Sequence, residues 1–206
     1  MRASYSAELR RQLQGFEPAD NPHAKSSLKK TLALLEGKED PLLRSSFHPG
    51  HLTGSAILLS PDQRCLALIW HKKLHRWLQP GGHVEASDSS PLCTARREAV
   101  EECGVELDPA FEPVLIQVDV HKIPARRSEP EHDHHDLVFL LRAKSDELHP
   151  SEEVGRALWC PLDAPEPYQP DQALAEGIRR ARHWQGRSEP EESLASERPY
   201  SPRPAT

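Results

Sequence analysis

Three glutamates, Glu98, Glu101 and Glu102, fall within five consecutive residues, a short distance after the double glycine Gly81-Gly82. On a helix, residues three and four apart share a face, so Glu98 stands beside both Glu101 and Glu102. At about 100° per residue the three carboxylates span roughly a 100° arc. Like charges this close repel one another and disfavour the helix. A bound Mg²⁺ or Mn²⁺ relieves that repulsion, because hard dications take carboxylate oxygens as ligands. Glycines let the backbone approach a ligand closely and accept positive φ. Taken alone, the acidic string reads as a solvated helix face with Arg96 and Arg97 as counter-charges, and Pro80-Gly81-Gly82 reads as a turn. Taken together they describe a carboxylate cluster behind a glycine turn, suited to holding cations against a phosphorylated substrate.

The surrounding elements must place that cluster. The spacing predicts a helix over 91–103, with Ser90 as N-cap, Pro91 in the first turn and Gly104 at C′. Leu92, Ala95, Ala99 and Cys103 fall on an arc beside the carboxylates and can pack on a sheet. Strands are expected at 53–60 and 64–70, joined by a hairpin at Pro61-Asp62-Gln63, and at 114–120, 136–142 and 157–160. A last helix over 171–184 carries Leu174, Ile178 and Ala181 on one stripe. The expected architecture is an α/β sandwich with a mixed sheet covered by helices. Residues 1–48 read as a helical arm of two helices, marked by Leu9, Leu13 and Phe16 and by Leu28, Leu32 and Leu35, with Pro18 and Pro22 breaking the chain between them. That arm is expected to pack or dimerise rather than to line a substrate pocket. Residues 49–186 form the expected main domain. Residues 187–206 lack periodicity, carry four prolines and are expected to be disordered.

Composition narrows the function class. The 206 residues carry a net charge of −6, without the basic field of a nucleic-acid binder. Cys65, Cys93, Cys103 and Cys160 are widely spaced and form no CxxC pair, which points to a reduced, cytoplasmic compartment rather than a disulfide framework. No apolar run approaches the roughly 18 residues of a membrane span, and no membrane partner is expected.

The signature residues resemble those of the Nudix hydrolases. That family's pattern is Gly, five residues, Glu, seven residues, then Arg-Glu-aliphatic-x-Glu-Glu-x-Gly-aliphatic. Arg97 through Val105 match the second half completely, with Ala99 and Val105 in the aliphatic places, and Gly82 matches the opening glycine. Two departures stand out: Asp88 occupies the place of the first glutamate, and eight residues rather than seven separate it from Arg97. The resemblance implies a Nudix-type α/β/α sandwich with an N-terminal helical extension. It implies a diphosphate hydrolase, acting on an acid anhydride in a nucleoside diphosphate linked to a further group. The metal ligands implied are Glu98, Glu101, Glu102 and the Gly81 carbonyl, with Glu98 the candidate general base and Arg97 holding the helix glutamates. A late acidic residue is implied ahead of Trp159: Glu153, with Glu152 as the alternative. Mg²⁺ or Mn²⁺ is the implied cofactor, and a small-molecule diphosphate, a nucleotide, the implied partner. A homodimer is compatible with the arm.

Other clusters in the sequence could also do chemistry. The run Glu131-His132-Asp133-His134-His135-Asp136 could ligate a transition metal, since imidazole suits Zn²⁺ or Ni²⁺. Consecutive residues on a strand point to opposite faces, so the run is read instead as a polar loop entering a strand and lining the cleft. Lys72, Lys73, His75, Arg76, Arg126 and Arg127 could meet substrate phosphates or merely be solvated. Trp70 and Trp77 are read as packing at strand ends rather than stacking on a base, and His83 and Glu85 as neighbours of the glycine turn. The competing functions are a non-catalytic Nudix-like nucleotide sensor and a prenyl diphosphate isomerase. A binding-only domain does not need all three carboxylates, and no motif marks a reactive cysteine.

Overall fold

The computed structural model of the protein describes residues 2–18, 20–126 and 129–188, with side chains described within residues 7–185. Its centre is strand β1 (Gly50–Leu59), buried along its whole length. The side chains of β1 alternate between two hydrophobic clusters, as a strand covered on both faces requires. Leu52, Ala56 and Leu58 enter one cluster and Ile57 and Leu59 the other.

Around β1 the sheet assembles in the order β3 (Arg76–Leu78), β2 (Cys65–His71), β1, β6 (His132–Arg142), β5 (Val114–Ile123), with β4 (Gly81–His83) pairing β1 and β7 (Ala157–Pro161) pairing β2. β1 and β6 run parallel and the remaining pairs antiparallel, so the sheet is mixed. Helix α3 (Pro91–Cys103) covers one face through Ala95, Ala99 and Cys103. Helix α4 (Gln172–Ser188) covers the other through Leu174, Ile178 and Ala181. The α/β/α layering follows from where these apolar stripes must be buried.

The two N-terminal helices, α1 (Arg2–Gln14) and α2 (Pro22–Leu34), join the α3 side of the core through Leu9, Leu13 and Leu34. Asn21 caps α2 by accepting the Ala24 N–H at 2.7 Å. Two polar residues of α2 are fully buried and spent on the sheet. Ser27 Oγ accepts the Val120 N–H at 3.0 Å, and Thr31 Oγ1 lies 3.0 Å from His135 Nδ1.

Three expectations need correction. The His132–Asp136 run is not a loop, because β6 begins at His132. Its inward positions are polar, so the apolar alternation that marks a strand is missing there. Gly81-Gly82 is not only a turn: these residues form β4, with Ser55 opposite Gly81 and Gly54 opposite Gly82. α4 runs to Ser188, four residues past the expected helix end at 184, and the tail from 189 onward lies outside the described residues. Among the described residues no helix is long and apolar enough to cross a membrane. All four cysteines are free thiols, three of them buried.

Candidate active site

Helix α3 starts as its caps dictate. Ser90 Oγ accepts the Cys93 N–H at 3.1 Å, and Gly104 ends the helix in the left-handed region at φ 64°. The helix lies so close over β1 that a Cβ on Gly54 would stand 2.2 Å from the Pro91 carbonyl oxygen. This contact aims the acidic edge of α3 at β4. The Gly81 N–H donates to Glu102 Oε2 at 3.0 Å. A Cβ on Gly82 would lie 2.2 Å from Glu98 Oε1, so only glycine leaves that carboxylate its place.

Arg97 fastens the cluster from the other side. Its Nε and Nη2 donate to Asp88 at 3.2 and 3.0 Å, and Nη2 also donates to the His83 carbonyl at 3.0 Å. Its Nη1 donates to Glu98 Oε1 at 3.0 Å and to Glu101 Oε2 at 2.9 Å. Asp88 in turn accepts the Glu85 N–H and the Thr94 hydroxyl, each at 3.0 Å. The shorter acid with the longer loop therefore still reaches the arginine.

The electrostatics follow from burial. Burial pushes the Glu102 carboxyl up to about 8; the Gly81 N–H opposes this, and the charges of Glu98, Glu153 and Glu101 reinforce it. Glu98 is raised in the same way, against the pull of Arg97. Burial alone would also raise Asp88, but Arg97, the Glu85 N–H and the Thr94 hydroxyl together hold it below its ordinary value. Arg97 divides its donors among Asp88, Glu98, Glu101 and the His83 carbonyl. Glu102 is thus served, among the described residues, by the Gly81 backbone N–H and not by the arginine. Three closely held carboxylates beside a single arginine fit a hard dication, which would return Glu102 to its ionised form.

The cluster opens into a cleft of about 1240 Å³ lined by Gly81, Gly82, Glu98, Glu101, Glu102 and Glu153 together. Glu152 does not line it; its carbonyl instead accepts the Lys72 ammonium. Lys73, Arg76, Arg126, His83 and Glu85 also face the cleft. Trp70 and Trp77 do not. They meet edge to face at 5.3 Å with the Arg156 guanidinium over both rings, as packing groups. His75 occupies the left-handed turn position of the β2–β3 hairpin, at φ 50°. Arg127 lies outside the described residues.

His132, His134 and Asp136 line the cleft as the sequence suggested for their run, whereas Asp119, His121 and His23 on the wall, and His51 behind it, were not anticipated. Asp119 is buried between His23 and His121, at 2.7 and 2.8 Å. The helical arm thus supplies several cleft residues, Phe16, Asn21, His23, Ala24 and Arg44, although it was not expected to line the pocket. Asp136 is buried and accepts the Thr53 and Ser55 hydroxyls at 2.8 and 3.0 Å. Burial raises its carboxyl above the ordinary value. His51, from the start of β1, meets the rings of His83, His132 and His134. The available signal was the alternation Asp119-x-His121 and His132-x-His134, which places polar residues on one strand face.

The NUDIX domain family model matches residues 50–185. A protein of Lactococcus lactis subsp. cremoris named "Probable DHNTP pyrophosphohydrolase" is 32% identical over 148 residues, covering 70% of this chain and 84% of the relative. Among solved structures, the NUDIX domain of Shewanella oneidensis NrtR, in complex with ADP ribose, superposes with a TM-score of 0.52 at 18% identity, covering 74% of this chain and 97% of that one. A NUDIX-family hydrolase from Clostridium perfringens gives 0.49 at 22% identity, covering 65% and 97%.

Proposed function

The chain belongs to the Nudix family and is a Nudix-type hydrolase, and on that premise we propose that it cleaves a diphosphate linkage of a nucleotide-like substrate with the help of Mg²⁺ or Mn²⁺. The observation that carries this reading is the approach of Glu98 and Glu102 to Gly81-Gly82, with Glu101 beside them on the lining of the same large cleft.

Glu98, Glu101, Glu102 and Glu153, with the Gly81 carbonyl, would hold the cations. Bound there, these neutralise the diphosphate and lower the pKa of a coordinated water. Arg97, pinned by Asp88, keeps Glu98 and Glu101 in one orientation, which lowers the reorganisation needed at the moment of reaction. Glu98 takes the proton of the attacking water as general base, held in place by the Arg97 guanidinium. Lys73, Arg76 and Arg126 face the same cleft and would meet the remaining phosphate charge. The chemistry asks no nucleophile of the protein itself.

Within this class the Lactococcus relative favours a heterocyclic triphosphate that loses pyrophosphate. A panel assay tests the substrate. Dihydroneopterin triphosphate, nucleoside triphosphates, ADP-ribose, dinucleoside polyphosphates and nucleotide sugars are incubated with each cation, and released phosphate species are quantified. Pyrophosphate from a triphosphate supports the narrower reading. Cleavage of ADP-ribose or nucleotide sugars alone would replace it with a diphosphate-linked substrate.

A further inference from the structure

We propose that His51, His132 and His134 form a second metal site, selective for a transition-metal dication such as Zn²⁺, on the cleft wall beside the carboxylate cluster. One ring nitrogen from each of the three lies within 4.8 Å of the others. The topology gathers them. His132 and His134 share a face of β6, being two residues apart on a strand, and His51 on β1 is the parallel register partner of His134.

The ring orientations are those of metal ligands. His51 Nδ1 lies 3.1 Å from the Ser46 carbonyl oxygen, and His132 Nδ1 lies 2.7 Å from the Pro130 carbonyl oxygen. A carbonyl only accepts, so in both rings Nδ1 carries the proton and Nε2 keeps a free lone pair. Carbonyl partners of this kind fix the tautomer of metal-bound histidines. His51 is 1% exposed, and its Nε2 is buried with no hydrogen-bond partner among the described residues. A buried, unpartnered acceptor is rare in a folded protein and points to a missing ligand. His134 Nε2 stands 3.3 Å from His83 Nε2, two nitrogens that can share only one proton between them. Ligands about 2.0–2.1 Å from a tetrahedral zinc stand roughly 3.3 Å apart. His83 therefore borders the three-histidine group on its cleft side.

The donors decide the metal. All are imidazole nitrogens, which suit Zn²⁺, Co²⁺ or Ni²⁺, whereas the neighbouring glutamates offer oxygens to Mg²⁺ or Mn²⁺. Phe47 packs on His132 at 5.0 Å between centroids, so the cluster is walled by an aromatic ring on one side. A dication held there would give an anionic group of the substrate a second anchor in the cleft. Ring packing alone is the competing account.

The test uses the full chain without an affinity tag, stripped with EDTA and equilibrated with Zn²⁺ in a large excess of Mg²⁺, with bound zinc measured by atomic emission. One equivalent is expected in the wild type and equally in Glu102→Gln. His134→Gln, checked for folding by circular dichroism, is expected to weaken binding at least tenfold. Pulsed electron paramagnetic resonance of the Cu²⁺-loaded wild type reads the ligands without any substitution and should show imidazole nitrogen coupling. No zinc retained against Mg²⁺, equal retention by His134→Gln, or Cu²⁺ without imidazole coupling would overturn the proposal. Mg²⁺-dependent hydrolysis persisting under any of these outcomes leaves the carboxylate site untouched, so the two readings fail separately.

Discussion

The carboxylate of Glu102 accepts the backbone N–H of Gly81 at 3.0 Å, across 21 positions of sequence. This bond joins the two halves of the signature at one point. Gly81 is fixed by its pairing with Ser55 on the central strand, so Glu102 is held against a rigid edge rather than a loop. The geometry also removes Glu102 from water, and burial is what raises its carboxyl to about 8.

A dependence of metal binding on pH follows. In the metal-free protein Glu102 is protonated below about 8 and must lose that proton when a cation binds. Affinity for Mg²⁺ or Mn²⁺ should therefore rise by up to about tenfold per pH unit from 6 towards 8, with proton release visible by calorimetry in buffers of different ionisation enthalpy. The same raised carboxyl makes the metal-free fold lose stability as pH rises from the ordinary value of 4.5 through about 8. Glu102→Gln in EDTA should flatten that slope.

Asp88→Asn tests the arginine clamp. The Asp88 side chain is 5% exposed and the Arg97 side chain 17% exposed, so removing one charge leaves the other buried without its main partner. The expected loss is about 2–3 kcal/mol in urea unfolding at neutral pH. The carboxyl of Asp88 is held below its ordinary 3.8, so its contribution is present above that pH and is lost as pH falls through the folded value. Wild type and variant should converge in acid. Equal stability at neutral pH would remove Asp88 from the structural role given to it.

The two glycines Gly82 and Gly54 should fail differently when each is changed to alanine. A Cβ at 82 meets the tip of the Glu98 side chain, which can move, so stability should change little while the rate falls about 100-fold through misplacement. A Cβ at 54 meets the Pro91 backbone and must push α3 off β1, which should cost about 1–3 kcal/mol. Paired melting curves and initial rates separate the two outcomes.

Much of this was legible in the sequence, for identifiable reasons. Helix α3 was bounded correctly because Ser90, Pro91 and Gly104 are local capping signals that need no tertiary context. The glutamate cluster was legible because its spacing on a helix sets the face it shares. The start of β6 was not, since His132 and His134 occupy inward positions where periodicity looks for apolar residues. Nor was β4, whose glycines and histidine have little strand propensity and are held by β1. His51 and His23 lie far in sequence from their ring and carboxylate partners, and only the parallel β1–β6 register and the docking of α2 bring them together.

The most direct test of the account is the hydrolysis rate of wild type and Glu102→Gln across a Mg²⁺ titration, on whichever triphosphate or diphosphate the panel identifies. The wild-type rate should rise with Mg²⁺, saturate, and vanish in EDTA. The variant, folded and with the buried charge removed, should lose at least about 100-fold at saturating metal. Cleavage that persists undiminished in EDTA, or a variant as fast as wild type, would contradict the assignment of Glu98, Glu101 and Glu102 as a metal-dependent catalytic centre.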